Sequence, residues 1–139
     1  NRKAVAKWEG SIKKGKGSLK TESGLLEAPY SFTSRFEEGK GTNPEELIGA
    51  AHAGCFSMAL SQMLGDAGYE PETITSSAEV SIEKKGDGFA ITEIKLSTEA
   101  AVPEIEEKTF LNHAEAAKSG CPVSQALGGT KISLEAKLK

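Results

Sequence analysis

Cysteine is scarce in this chain: 139 residues hold two. That is too few for the disulfide-stapled scaffold of a small secreted domain, so the expected setting is cytoplasmic, where the two would be free thiols, a redox pair or metal ligands. An excess of positive charge is also lacking. The formal net charge is −3, which leaves no broad basic footprint for nucleic acid. No long hydrophobic run is present either. The longest, Leu47 to Leu60, is interrupted by His52 and is too short to cross a bilayer, so no membrane partner is expected. There is no internal repeat, no low-complexity linker, and no signal-peptide or lipidation motif. Against these absences, the hydrophobic and charged fractions, 37% and 27%, are those of an ordinary globular protein. The expectation is a single domain spanning 1–139, long enough to bury a core.

The most informative stretch is Thr42-Asn43-Pro44-Glu45-Glu46-Leu47 running on to Leu64. Asn43 is placed to cap the first free amides, Pro44 suits the first helical position, and Glu46 stands where a capping box places its carboxylate. The segment from Leu47 onward is apolar or small nearly all round, which predicts a helix over Pro44–Leu64 buried on most sides. Gly49, Ala50, Ala53 and Gly54 leave room for a second helix to approach. Cys55 sits in the middle of this rod.

Around it the chain reads as βββ-α-ββ-αα-β. Lys3–Ile12, Gly17–Leu26 and Ala28–Phe36 are expected strands; the third rests on the alternation of Tyr30, Phe32 and Ser34. Gly65 to Pro71 stops the long helix. Ile74, Ser76, Ala78, Val80 and Ile82 alternate as a strand, Gly86-Asp87-Gly88 turns, and Phe89–Val102 returns with a phase shift that predicts a β-bulge. Ile105 to Gly120 has helical spacing. Cys121-Pro122 opens a short helix ended by Gly128-Gly129, and Ile132–Leu138 is the last strand. The class is α+β.

Several residues are chemically suggestive. Buried, inert packing is a common fate for cysteine. A reactive thiol needs a cation or a helix N-terminus near it. Cys121 stands at a helix start; Cys55, in mid-helix, needs a positive group from elsewhere. His52 is three residues before Cys55 on one helix and so neighbours it. His52, Cys55, His113 and Cys121 are the residue types of a zinc site. Their spacing fits no closed zinc motif, and packing is the favoured role for both histidines. Arg35 and Glu45 carry no local signal of function.

Two separated motifs then become recognisable together. Asn43-Pro44-Glu45-Glu46-Leu47 through Ala53-Gly54-Cys55-Phe56-Ser57, followed by Gly120-Cys121-Pro122-Val123-Ser124, closely resembles the osmotically inducible branch of the OsmC/Ohr family. Trp8-Glu9-Gly10, Gly15-Lys16-Gly17 and Gly88-Phe89-Ala90-Ile91-Thr92 extend the likeness over nearly the whole chain. The resemblance implies antiparallel sheets around a long central helix, in an intertwined homodimer with active sites at the subunit interface. It implies a thiol peroxidase, without cofactor or metal, that reduces organic hydroperoxides in defence against oxidative or osmotic stress. Cys55 would attack the peroxide and Cys121 would resolve the product as a disulfide. Arg35 and Glu45 would flank the reactive thiol. A dithiol, such as a lipoyl-bearing protein, would be the reductant. The alternative is a zinc- or small-ligand-binding stress protein without peroxidase activity.

The implied chemistry is physically coherent. A guanidinium stays charged at any working pH and would favour the thiolate; a carboxylate would hold it in a bidentate pair. Glu45 and Cys55 are ten residues apart, about 15 Å along a helix axis. One unbroken helix cannot bring them together, so two antiparallel copies are expected to build the site. Phe56, Met58, Leu60 and Phe110 are expected to form an apolar wall near the thiol, favouring bulky peroxides.

Overall fold

A computed structural model describes all residues, 1–139. The chain divides into two compact units, Asn1–Leu47 and Ile48–Lys139.

The first unit holds β1 (Ala4–Glu9), β2 (Lys16–Thr21), β3 (Glu27–Tyr30), the short helix α1 (Phe32–Phe36) and the first turn of α2 (Pro44–Asp66). The three strands form an antiparallel meander in which Trp8 pairs with Gly17 and Gly17 with Tyr30. The Trp8 and Tyr30 rings lie 5.4 Å apart across that glycine. Any side chain at Gly17 would run into both rings. The expected strand Ala28–Phe36 is corrected here: only its first part is extended. Ser31 and Ser34 form a reciprocal capping box, Ser34 N–H donating to Ser31 Oγ at 3.2 Å and Ser31 N–H to Ser34 Oγ at 2.8 Å. These local bonds turn the chain into helix despite its alternating pattern. Val5 on β1 is 68% exposed.

α2 starts as its sequence indicates. Asn43 Oδ1 accepts the Glu46 N–H at 2.8 Å, and Glu46 reaches back to Thr42 Oγ1 at 2.8 Å. It runs unbroken to Asp66, where Gly68, with φ +92°, turns the chain away.

The second unit holds the remainder of α2, β4 (Thr73–Lys85), β5 (Gly88–Ala101), α3 (Glu107–Gly120), α4 (Pro122–Ala126) and β6 (Lys131–Leu138), with sheet order β4-β5-β6. β4 and β5 are an antiparallel hairpin. Ser81 faces Glu93 but Ile82 faces Ile91, so Thr92 is the extra residue of the expected bulge. β6 lies parallel to β5. A parallel neighbour needs a crossover, and α3 and α4 supply it.

One stripe of α2, His52, Phe56, Leu60 and Leu64, is fully buried. Phe56, Leu60 and Leu64 meet Leu96, Ala100, Phe110, Ala114 and Ala117 in the core. Gly49 faces β4, where an added Cβ would stand 3.2 Å from the Ala78 carbonyl oxygen. Burial on most sides does not hold within the single chain: Ala50, Ala51, Gly54 and Met58 are exposed. By length and composition alone α2 could cross a membrane, but its buried stripe makes it the core helix of this unit. Phe56→Ala, at a fully buried site, is expected to cost about 3–5 kcal/mol, read as a lowered denaturant midpoint at unchanged m-value.

Candidate active site

The two thiols meet at the first turn of α4. Cys121 is its N-cap and is fully buried. Its sulfur accepts the Ser124 N–H at 3.3 Å, and its thiol donates to Ser124 Oγ at 3.1 Å. Pro122 at the first helical position has no N–H to satisfy. Cys55 reaches the same turn from α2. The next N–H, that of Val123, is directed at the Cys55 sulfur, and the Cys121 thiol lies within hydrogen-bonding reach of it. Adjacent amides of one helical turn therefore serve the two sulfurs. Both cysteines are free thiols.

Their surroundings differ. Cys55 is half-buried and opens onto a groove of about 580 Å³, lined also by Met58, Ala59, Ser61, Gln62 and Pro122. Burial pushes the Cys55 thiol above its ordinary value. The Val123 N–H opposes that rise, and the neighbouring Cys121 thiol adds to it. The expected apolar wall is only partly correct. Met58 lines the groove, whereas Phe56, Leu60 and Phe110 are fully buried in the core; the stripe that fills the core cannot also face outward.

In the first unit, Arg35 and Glu45 form the expected bidentate pair. Arg35 Nε donates to both carboxylate oxygens at 3.2 Å, and Nη2 donates to Oε1 at 2.8 Å. Glu45 is buried, and the guanidinium also lies over the Phe36 ring at 5.3 Å. Charge-assisted, two-point pairing of this kind fixes the plane of the guanidinium.

The family model described as OsmC-like protein matches residues 37–136, a span that includes Glu45 and both cysteines. The chain belongs to the OsmC-like protein family. Its similarity to the protein named peroxiredoxin OsmC from Escherichia coli is 57% identity, covering 100% of this chain and 97% of that one. Organic hydroperoxide resistance protein OhrB of Bacillus subtilis is 26% identical, covering 87% of this chain and 89% of its own. Among solved structures, an organic hydroperoxide resistance protein OsmC from Legionella pneumophila superposes with a TM-score of 0.72 at 24% identity, covering 99% and 96% of the two chains. That likeness supports the fold.

The histidines of this OsmC-like chain part company. His113 lies on α3 and is half-buried. His52 is fully buried, with Nε2 at 2.7 Å from Ser124 Oγ and no hydrogen-bond partner at Nδ1. No three side chains of metal-binding type converge anywhere in the chain, so the zinc constellation of His52, Cys55, His113 and Cys121 is not assembled. Ser124 is the member of the site that sequence reasoning missed. Cys121 before Pro122 marks a helix N-cap, and Ser124 is the residue whose N–H such a cap receives, which could have signalled it. Its link to His52, 72 residues away, has no local signature.

Burial lowers the His52 pKa below its ordinary value of 6.5. The unfolded chain therefore binds this proton more readily than the native one. Native stability should fall as pH drops from about 6.5 toward the lower native value, and level off below it. Denaturant midpoints measured across that window should show the slope, and His52→Gln should remove it.

Proposed function

We propose that this chain, acting as one OsmC-like domain over 1–139, is a two-cysteine thiol peroxidase that reduces organic hydroperoxides to alcohols in defence against oxidative and osmotic stress. The observation that carries the reading is the pair of adjacent thiols at one helical turn, one opening on a groove and the other buried behind it. The identity to a protein named peroxiredoxin OsmC over the full chain supports it. The relative named for organic hydroperoxide resistance supports the substrate class.

The Cys55 thiolate attacks the terminal peroxide oxygen. The O–O bond breaks, the alkoxide leaves and takes a proton to become alcohol, and Cys55 becomes a sulfenic acid. The Cys121 sulfur then attacks the Cys55 sulfur, forming the disulfide and releasing water. An external dithiol, a lipoyl group on a protein being the proposed physiological form, reduces the disulfide through a mixed disulfide. Proximity makes the second step intramolecular.

The functional unit in this reading is a homodimer. α2 is unbroken between Glu45 and Cys55, which favours a site whose Arg35–Glu45 pair comes from the partner copy. The exposed small and apolar face of α2, Ala50, Ala51, Gly54 and Met58, favours a second helix packed there. The incoming guanidinium would supply a full positive charge to a thiol that burial disfavours ionising.

The test is peroxide consumption driven by dihydrolipoamide or dithiothreitol, with cumene hydroperoxide and H2O2 compared. The groove predicts kcat/KM at least about tenfold higher for cumene hydroperoxide; covering only about 55 Å² of apolar surface is worth that much. Equal efficiency would remove the groove as the source of selectivity. Absence of any dithiol-driven consumption would end the peroxidase reading.

A further inference from the structure

Behind the two sulfurs lies a buried polar line that the peroxidase chemistry above does not use. The Cys121 thiol donates to Ser124 Oγ at 3.1 Å, and Ser124 Oγ stands 2.7 Å from His52 Nε2. All three residues are buried, with Ser124 5% exposed and the other two fully covered. Neither Ser124 nor His52 lines the groove, so the line is shielded from it. With Ser124 donating to Nε2, the single N–H proton of the neutral ring lies on Nδ1, the atom without a partner. A buried donor left unpaired costs about 1–3 kcal/mol. That cost accompanies an arrangement that aims the Nε2 lone pair at the Ser124 hydroxyl, which in turn meets the Cys121 thiol.

We propose that Ser124 and His52 form a proton relay that takes the proton from Cys121 as its sulfur closes the disulfide. This inference rests on the two-cysteine reading of the site. As Cys121 attacks, its S–H bond breaks. Ser124 Oγ accepts that proton while passing its own to His52 Nε2. The S–S bond forms and the Cys55 S–O bond breaks; the departing hydroxide takes a proton from solvent in the groove and leaves as water. When the dithiol later attacks Cys55, Cys121 leaves as thiolate and regains the proton from His52 through Ser124. Ser124 touches the reacting sulfur and is a catalytic residue of closure; His52 acts through it. Burial keeps the imidazole neutral before closure and makes it surrender the proton readily afterwards.

The test times closure from a loaded Cys55, so the loading rate does not enter. Cys55 of the reduced full-length protein is converted to its thionitrobenzoate mixed disulfide, and release of the coloured thiolate reports attack by Cys121. A parallel series loads Cys55 with one equivalent of cumene hydroperoxide and follows loss of the sulfenic acid by trapping and mass spectrometry. Ser124→Ala and His52→Gln should each slow closure about 100-fold, within the usual range of a positioned acid–base group. Glutamine keeps a polar atom toward Ser124 and much of the packing but cannot take the proton. A merely structural His52 would therefore leave His52→Gln near the wild-type rate, and that result overturns the relay. The double variant should be no slower than either single one, because the pair acts as a unit; multiplied losses also overturn it. Thermal melts identify any variant that fails to fold, and the remaining single variant then decides. If peroxide yields no sulfenic acid while thiolate release still slows in the variants, the relay stands and the peroxidase reading falls.

Discussion

Cys55→Ser is expected to abolish dithiol-driven peroxide consumption, down to the rate of peroxide with the dithiol alone, whereas Cys121→Ser should support one rapid turnover and then accumulate sulfenic acid at Cys55. The asymmetry follows from where the sulfurs sit. Cys55 opens on the groove; Cys121 is fully covered and held by Ser124 at two points. A bulky peroxide has a path to the first and none to the second. Cys121 has the helix N-terminus as its local electrostatic asset, but that is about half a charge at the end of a short helix. A guanidinium carries a full charge, and its effect grows in a water-poor site. Rapid mixing with one equivalent of cumene hydroperoxide, followed by sulfenic acid trapping, separates the variants. A burst from Cys55→Ser and none from Cys121→Ser would reverse the assigned roles.

In the proposed dimer, Arg35→Met is expected to lower the rate of the first step at neutral pH by about 100-fold and to raise the Cys55 pKa, the usual effect of withdrawing an opposite charge. Burial already pushes this thiol up, so losing the cation adds to an existing deficit of thiolate. The sign gives a second readout. With a higher Cys55 pKa, the variant's rate should climb with pH over a range where the wild type is already level. Glu45→Gln should have a smaller effect in the same direction, because it frees the guanidinium from its two-point hold without removing it. An Arg35→Met protein with the wild-type pH profile would show that the cation acts elsewhere.

Much of the architecture is legible in the sequence because the signals are local. Asn43-Pro44 places the start of α2, Gly86-Asp87 the β4–β5 turn, and the phase change between Ile91 and Ile94 the bulge at Thr92. The misreading at Ala28–Phe36 has a local cause too: Tyr30, Phe32 and Ser34 alternate, but the Ser31–Ser34 capping box decides the backbone. Burial of α2 is harder to read. Its composition is apolar all round, and sequence cannot tell which face this chain covers and which it leaves to another. The site divides in the same way. Cys121 before Pro122 marks a helix start, whereas nothing near Arg35 or Glu45 marks the pair without the family likeness. The Ser124–His52 bond joins residues distant in sequence, and only the crossover from β5 to β6 brings α4 back onto α2.

The most direct measurement is a non-reduced peptide map of the full-length protein after one equivalent of cumene hydroperoxide. One new linkage is expected, Cys55 to Cys121 within a single chain, with loss of both free thiols and its disappearance on adding dihydrolipoamide. Peroxide consumed while both thiols stay free, or a Cys55-to-Cys55 bond between chains, would contradict it.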